Sequence, residues 1–258
     1  MPQDLVLKQL DDDGVLTVTL NRPERRNAFN SAGFLALRDA LAEANGNPKV
    51  AVVLLTGAGD DFSTGLDLSE VGGEEEGEPP AFEQMMDALC ALDKPLIAAA
   101  KGYAIGFGTT VLFHCDVVYL GQSTKLKMPF ASLGLVTEAA AAYLAPISMG
   151  RKQAAELLFT AETFDAQKAL DYGIATQLLP DESLLSAALA KAREMAQWPI
   201  ESLVEIKRLM KAPHAEEIAR VRKLELQGFA KLMGSPGNVE AFTAFLEKRP
   251  PNFKQFRK

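Results

Sequence analysis

Lys94-Pro-Leu-Ile-Ala-Ala-Ala-Lys-Gly-Tyr-Ala-Ile-Gly-Phe-Gly-Thr-Thr110 is the stretch on which the fold turns. Leu96 to Ala100 is a short apolar run with a proline at its entrance, the pattern of a buried strand. Gly102, Gly106 and Gly108 follow, and Thr109 to Phe113 has helix-compatible composition. Strand, glycine turn and helix start form a layout that leaves backbone N–H groups facing a ligand oxygen. The glycine spacing matches neither of the common phosphate-loop patterns. Taken alone, the stretch says tight turn rather than binding site.

A second stretch, Val50-Ala-Val-Val-Leu-Leu-Thr56, reads as another buried strand and runs into Gly57-Ala-Gly-Asp-Asp-Phe-Ser-Thr-Gly-Leu-Asp-Leu68. Phe62 to Leu68, then Lys94-Pro95, then Gly102-Tyr-Ala-Ile-Gly-Phe-Gly108 together resemble the crotonase superfamily of enoyl-CoA hydratases and isomerases. Asn21-Arg-Pro-Glu-Arg-Arg-Asn-Ala28, Ala166-Gln-Lys-Ala-Leu-Asp-Tyr-Gly-Ile174 and Phe245-Leu-Glu-Lys-Arg-Pro250 extend the resemblance over nearly the whole chain. Each motif is loose; their order and spacing are specific. The resemblance implies an α/β fold, a crotonase-type spiral of ββα turns. It implies a spiral core with the CoA site over residues 1–198 and a C-terminal helical oligomerisation region over 199–258, building homotrimers or hexamers.

Composition is compatible with this. A chain of 258 residues, 48% hydrophobic, is long enough for a sizeable core. A net charge of −7 argues against nucleic acid and anionic membrane as partners, although a local basic cluster can still hold a polyanion. Two cysteines and two histidines, with no CxxC pair, make a structural zinc site unexpected. No signal peptide or membrane span is visible, so the expected location is cytoplasmic.

Along the chain, Leu5–Leu10 and Val15–Leu20 alternate around Asp11-Asp-Asp-Gly14 and predict a hairpin. Ser31–Ala44 predicts a helix capped by Asn30 or Ser31, with Phe34, Leu37 and Leu41 on one face. Residues 69–80 are acidic and proline-bearing and read as a mobile surface loop, with a lid over the acyl pocket as the alternative. Phe82–Ala91 is helical in pattern, and Cys115–Leu120 and Thr124–Met128 read as strands. Helical patterns then dominate: 153–160, 166–172, 183–197, 200–210 and 215–232, with a last strand at 174–179.

The basic loop at Arg22, Arg25 and Arg26 reads by itself as solvated surface. The resemblance places it beside the pantetheine and phosphates of CoA. Arg25 and Arg26 thereby become candidate phosphate partners, and Ala28, Thr64, Leu68 and Gly106 complete the implied substrate-binding set. Asp67, without acidic or histidine partners at coordinating spacing, reads as a loop-ordering residue.

In the crotonase pattern two backbone N–H groups grip the thioester oxygen, here those of Leu66 and Phe107. They stabilise enolate charge, and one lost donor costs on the order of 3–4 kcal/mol. The hydratase version adds two glutamates, whose positions hold Thr110 and Phe130 in this chain. Neither side chain can activate water or protonate carbon. A different carboxylate stands at Glu138. Pro129-Phe-Ala-Ser-Leu-Gly-Leu-Val-Thr-Glu138 resembles the segment of peroxisomal-type Δ3,Δ2-enoyl-CoA isomerases that carries their base. In an arbitrary sequence such a glutamate would be a helix first-turn residue; here the apolar Ala139–Leu144 behind it suggests a desolvated, proton-carrying carboxyl. The implied catalytic set is Glu138, Leu66 and Phe107, acting on an acyl-CoA thioester. No cofactor is expected, since CoA is part of the substrate. Thioester hydrolysis, decarboxylation, hydration or noncatalytic acyl-CoA binding are the alternatives.

Overall fold

The computed structural model describes residues 4–69 and 79–257. The acidic loop expected at 69–80 lies, apart from its ends, outside the described residues.

A hairpin opens the chain, β1 (Val6–Leu10) paired antiparallel with β2 (Val15–Leu20). Helix α1 (Ser31–Gly46) is capped by the Asn30 side chain, which accepts the Gly33 N–H at 2.9 Å. Its stripe of Phe34, Leu37, Ala40, Leu41 and Ala44 is buried. Strand β3 (Val52–Gly57), helix α2 (Ala81–Ala91) and strand β4 (Leu96–Ala100) follow. Then come β5 (Tyr103–Ile105), the four-residue α3 (Phe107–Thr110), a 3-10 turn Val111–His114, β6 (Val117–Gly121) and β7 (Lys125–Lys127). The remaining elements are α4 (Ala141–Met149), α5 (Arg151–Thr160), β8 (Thr163–Asp165), α6 (Ala166–Asp171), β9 (Gln177–Leu179) and four closing helices. Those are α7 (Asp181–Ala196), α8 (Ile200–Lys211), α9 (Ala215–Leu232) and α10 (Pro236–Leu246).

The large sheet has the order β1-β2-β3-β4-β6-β9 and is parallel from β2 onward; β5-β7-β8 form a small second sheet. The chain visits the two sheets alternately (β4 then β5, β6 then β7), which winds it into a spiral.

The apolar runs β3 and β4 are buried on both faces, as interior parallel strands require. Val53 and Leu55, with Leu96, Ala98 and Ala100, point into the core shared with α1 and α2. The alternate residues Val52, Leu54, Ile97 and Ala99 pack against Leu184, Ala188 and Ala192 of α7. A strand period of two therefore feeds two separate cores.

Three elements go beyond the sequence reading. Strands β5 and β8 are three residues each, too short to show a period. Helix α10 begins at a Ser235 cap with Pro236 in its first turn, a local start signal. The helix expected from Thr109 begins two residues earlier, at Phe107, and tightens into a 3-10 turn after Thr110.

The proposed boundary at 198/199 falls between α7 and α8. The helices beyond it are tied to the core by side chains: Lys207 Nζ donates to the Lys94 carbonyl and to Asp116, both at 2.8 Å. Ile206, Leu209 and Met210 on α8, Leu224 on α9, and Phe245 and Leu246 on α10 are exposed. Among the described residues no helix is long and apolar enough to cross a membrane.

Candidate active site

Three chain segments are sewn together after β2, β3 and β4. The basic loop makes a 3-10 turn at Pro23–Arg25, and Arg26 and Asn27 then take positive φ (50° and 54°). Asn27 is buried and acts as the rivet. Its amide donates to the carbonyls of Ala58 and Asp61 at 2.9 and 2.7 Å, and its oxygen accepts the Arg22 N–H at 2.9 Å. Ser63 Oγ donates to the Asn27 carbonyl at 2.8 Å and accepts the Gly65 N–H at 3.1 Å. Phe29 N–H bonds the Gly65 carbonyl, and Asp67 N–H bonds the Phe29 carbonyl, both at 2.7 Å. Asp67 orders this loop, pairing with Arg22 at 3.2 Å and accepting Ser69 Oγ at 2.6 Å.

The second seam joins 63–66 to the glycine turn after β4. Ser63 N–H donates to the Tyr103 carbonyl at 3.0 Å, and Ile105 N–H donates to the Ser63 carbonyl at 2.9 Å. The contact leaves no space for side chains. A Cβ on Gly65, whose φ is +77°, would stand 2.6 Å from the Ile105 carbonyl oxygen and 3.1 Å from the Phe107 nitrogen. One on Gly108 would stand 2.2 Å from the Ser63 carbonyl oxygen. Gly106 combines φ +55° with ψ −120°, open in practice only to glycine, and its N–H is spent on the Lys127 carbonyl at 2.9 Å.

The result is that the peptides of Leu66 and Phe107 lie side by side. Among the described residues neither backbone N–H has an acceptor. Phe107 is the first residue of α3, so its N–H is one of the helix's unpaired donors by construction. The Phe107 ring anchors this end of α3, packed edge-to-face on Phe29, Phe34 and Phe82 at 5.4 to 5.6 Å.

Glu138 reaches the same helix. Its Oε1 accepts a hydrogen bond from Thr110 Oγ1 at 2.5 Å, and Thr110 is fully buried in the last turn of α3. Glu138 is only partly covered as a residue, yet its carboxyl is desolvated, which pushes its pKa up to about 8. The Thr110 bond pulls the other way, while the charges of Glu225 and Glu83 push further up. The structure thus brings Leu66, Phe107 and Glu138 around α3.

Apart from Gly106, which lies in the second seam, the implied CoA-binding residues are spread along the first. Thr64 N–H bonds the Arg26 carbonyl at 3.1 Å, and Ala28 is buried with its carbonyl held by Arg22 at 2.9 Å. Leu68 is part-buried. The Arg26 side chain is largely exposed, stacked 5.0 Å over the Tyr103 ring and 3.7 Å from Asp61. Arg25 is exposed and joined to the loop through its backbone. In the sequence Thr110 reads as a lost glutamate and a side chain that could line the pocket, with no assigned role; its bond to residue 138 spans 28 positions and leaves no local mark. Tyr143 OH shares a 3.0 Å hydrogen bond with His214 Nδ1. Among the described residues no group of three His, Cys, Asp or Glu could hold a metal ion.

Comparison with known proteins agrees with this architecture. Residues 11–257 match the family model described as enoyl-CoA hydratase/isomerase. Two Escherichia coli proteins, a 1,2-epoxyphenylacetyl-CoA isomerase and a 2,3-dehydroadipyl-CoA hydratase, are each 32% identical, covering 94% and 93% of this chain and 95% of their own. A crystal structure of an enoyl-CoA hydratase/isomerase from Pseudoalteromonas atlantica superposes with a TM-score of 0.93 at 35% identity, over 96% of this chain and 99% of that one.

Proposed function

Because this chain belongs to the enoyl-CoA hydratase/isomerase family, we propose that its particular reaction is the shift of a 3-enoyl-CoA double bond to the trans-2 position. The observation that carries this reading is the Glu138 carboxyl, held by the helix whose first N–H is that of Phe107.

Glu138 takes a proton from C2 of the substrate. Negative charge moves onto the thioester oxygen, where the N–H groups of Leu66 and Phe107 receive it without rearranging. The protonated carboxyl then returns the proton to C4, and the conjugated product is lower in energy. One group serves as base and then acid, so its pKa should lie near the working pH; about 8 satisfies that. Hydration would need a second acid–base group on water, and the two positions that supply it in the hydratase pattern hold Thr110 and the buried Phe130. Arg25 and Arg26 would meet the CoA phosphates, and the exposed apolar residues of α8 to α10 would close a homotrimer or hexamer.

The test is to incubate the purified protein with trans-3-hexenoyl-CoA and, separately, with trans-2-hexenoyl-CoA. Growth of conjugated enoyl absorbance from the first without hydroxyacyl product from the second is expected. Efficient hydration of the second would overturn the assignment in favour of the hydratase activity named for several relatives.

A further inference from the structure

The backbone that presents Glu138 is one that alanine resists. Ala139 and Ala140 follow it with φ +56° each, two left-handed residues in succession without a glycine. Such a turn persists only where its surroundings hold it. Two buried side chains grip it from different elements.

From α9, Glu225 closes over the turn. Its Oε2 accepts the Ala140 N–H at 2.7 Å, and its Oε1 accepts Thr137 Oγ1 at 2.7 Å and the Ala142 N–H at 3.2 Å. Glu225 therefore caps the start of α4 as well. The helix can come this close because the next inward-facing position is Gly228; a Cβ there would stand 3.1 Å from both methyls of Val136. From the 3-10 turn after α3, His114 Nε2 lies 2.8 Å from the Ala139 carbonyl. A carbonyl can only accept, so Nε2 carries the proton. The grips fall on both sides of Glu138, on the residue before it and on the two after it.

We infer that Glu225 and His114 are positioning residues for Glu138, holding the 137–140 turn so that its carboxyl meets Thr110 and the reacting carbon. This rests on Glu138 being the base. Neither residue has a part in the proton transfer itself. The charges that face Glu138 are Glu225 from α9 and Glu83 from α2, and Glu83 is paired with Arg222 of α9 at 2.7 Å. Desolvation pushes the Glu225 carboxyl above the ordinary carboxylate value, and its three donors, Thr137 Oγ1 and the Ala142 and Ala140 N–H groups, pull it back toward the ionised form. Burial and the nearby charges of Arg222 and Lys207 hold His114 down at about 4, so it stays a neutral donor through the working range.

The experiment uses the full-length protein and the variants Glu225→Gln, Glu225→Ala, His114→Ala and His114→Gln, with Glu138→Gln as reference. Carboxyl ¹³C NMR of glutamate-labelled protein follows the titration of Glu138 directly, assigned by the signal lost in Glu138→Gln, whatever the substrate. Glu225→Gln keeps an acceptor oxygen but removes a facing charge, so Glu138 should titrate at lower pH. On trans-3-hexenoyl-CoA, Glu225→Ala and His114→Ala should each lower kcat about tenfold to a hundredfold with KM little changed. His114→Gln, whose amide can donate in place of Nε2, should recover most of that loss. An unmoved Glu138 titration in Glu225→Gln, or a loss in His114→Ala that glutamine does not rescue, would overturn the inference. So would losses that merely track the melting temperature. Full activity in Glu138→Gln would instead overturn the base assignment, a separate result read from a separate protein.

Discussion

Replacing Glu138 by glutamine should stabilise the fold, and only above acidic pH. The folded protein holds this carboxyl at about 8, against an ordinary 4.5. Below pH 4.5 both folded and unfolded chains carry the proton, and the side chain makes no difference. Between 4.5 and 8 the unfolded chain ionises first, so the native state loses stability steadily as pH rises; above 8 the full cost applies. The gap from 4.5 to about 8 corresponds to roughly 5 kcal/mol at about 1.4 kcal/mol per pH unit. Solvent reaches part of Glu138, so about half of this, on the order of 2–3 kcal/mol, is expected. Glutamine keeps an oxygen for Thr110 and cannot ionise. Parent and Glu138→Gln should therefore melt together at pH 4.5 and separate by about 5–10 °C at pH 8.5. Calorimetry at pH 4.5, 6.5 and 8.5 reads this directly, without substrate. Equal melting at all three values, or a variant that loses ground as pH rises, would refute a desolvated carboxyl at this site. The catalytic corollary has the same sign: kcat/KM should climb as pH rises through about 8, because only the ionised base can take the first proton.

Thr110→Val removes the donor that favours the ionised form of Glu138 while keeping its shape, so the acid limb of kcat/KM should move to higher pH and kcat should fall, as a pH–rate series would show. In Gly65→Ala the new methyl would meet the Ile105 carbonyl at 2.6 Å and force the Leu66 and Phe107 peptides apart. Steady-state kinetics on the folded variant should show kcat reduced about 10²-fold or more, the scale of a lost oxyanion donor; an unchanged kcat would mean that these two N–H groups do not act together.

What the sequence made legible was whatever is local or periodic. The hairpin showed in alternation, and β3 and β4 showed as unbroken apolar runs because both of their faces are covered. Leu66 and Phe107 were reached through the family resemblance, whose local marks are glycines: a Cβ on Gly65 or Gly108 would strike backbone, and Gly106 takes a φ and ψ open in practice only to glycine. Helix α10 was equally local, announced by Ser235-Pro236, and could have been read. The short strands β5 and β8 could not, having no period of their own.

The groups around Glu138 belong to another kind of information. Thr110, His114 and Glu225 meet residues 138 to 140 across separations of 28, 25 and 85 positions, and nothing local marks any of them. Position 110 shows the difference most clearly. Compared with the hydratase pattern it reads as a place where a carboxylate has been lost, and position 138 as a place where one has been gained. In the folded chain they are the two ends of one hydrogen bond. A carboxylate borne on α3 would be fixed by the helix that also carries Phe107. A carboxylate borne on the 137–140 turn has no such support, and Ala139 and Ala140 sit where alanine is disfavoured. On the proposed reading of Glu138 as the base, a carboxyl on the turn calls for holders elsewhere in the chain: the threonine at position 110, a neutral histidine beneath the turn, and a buried glutamate on a helix that the sequence presents only as part of an oligomerisation region.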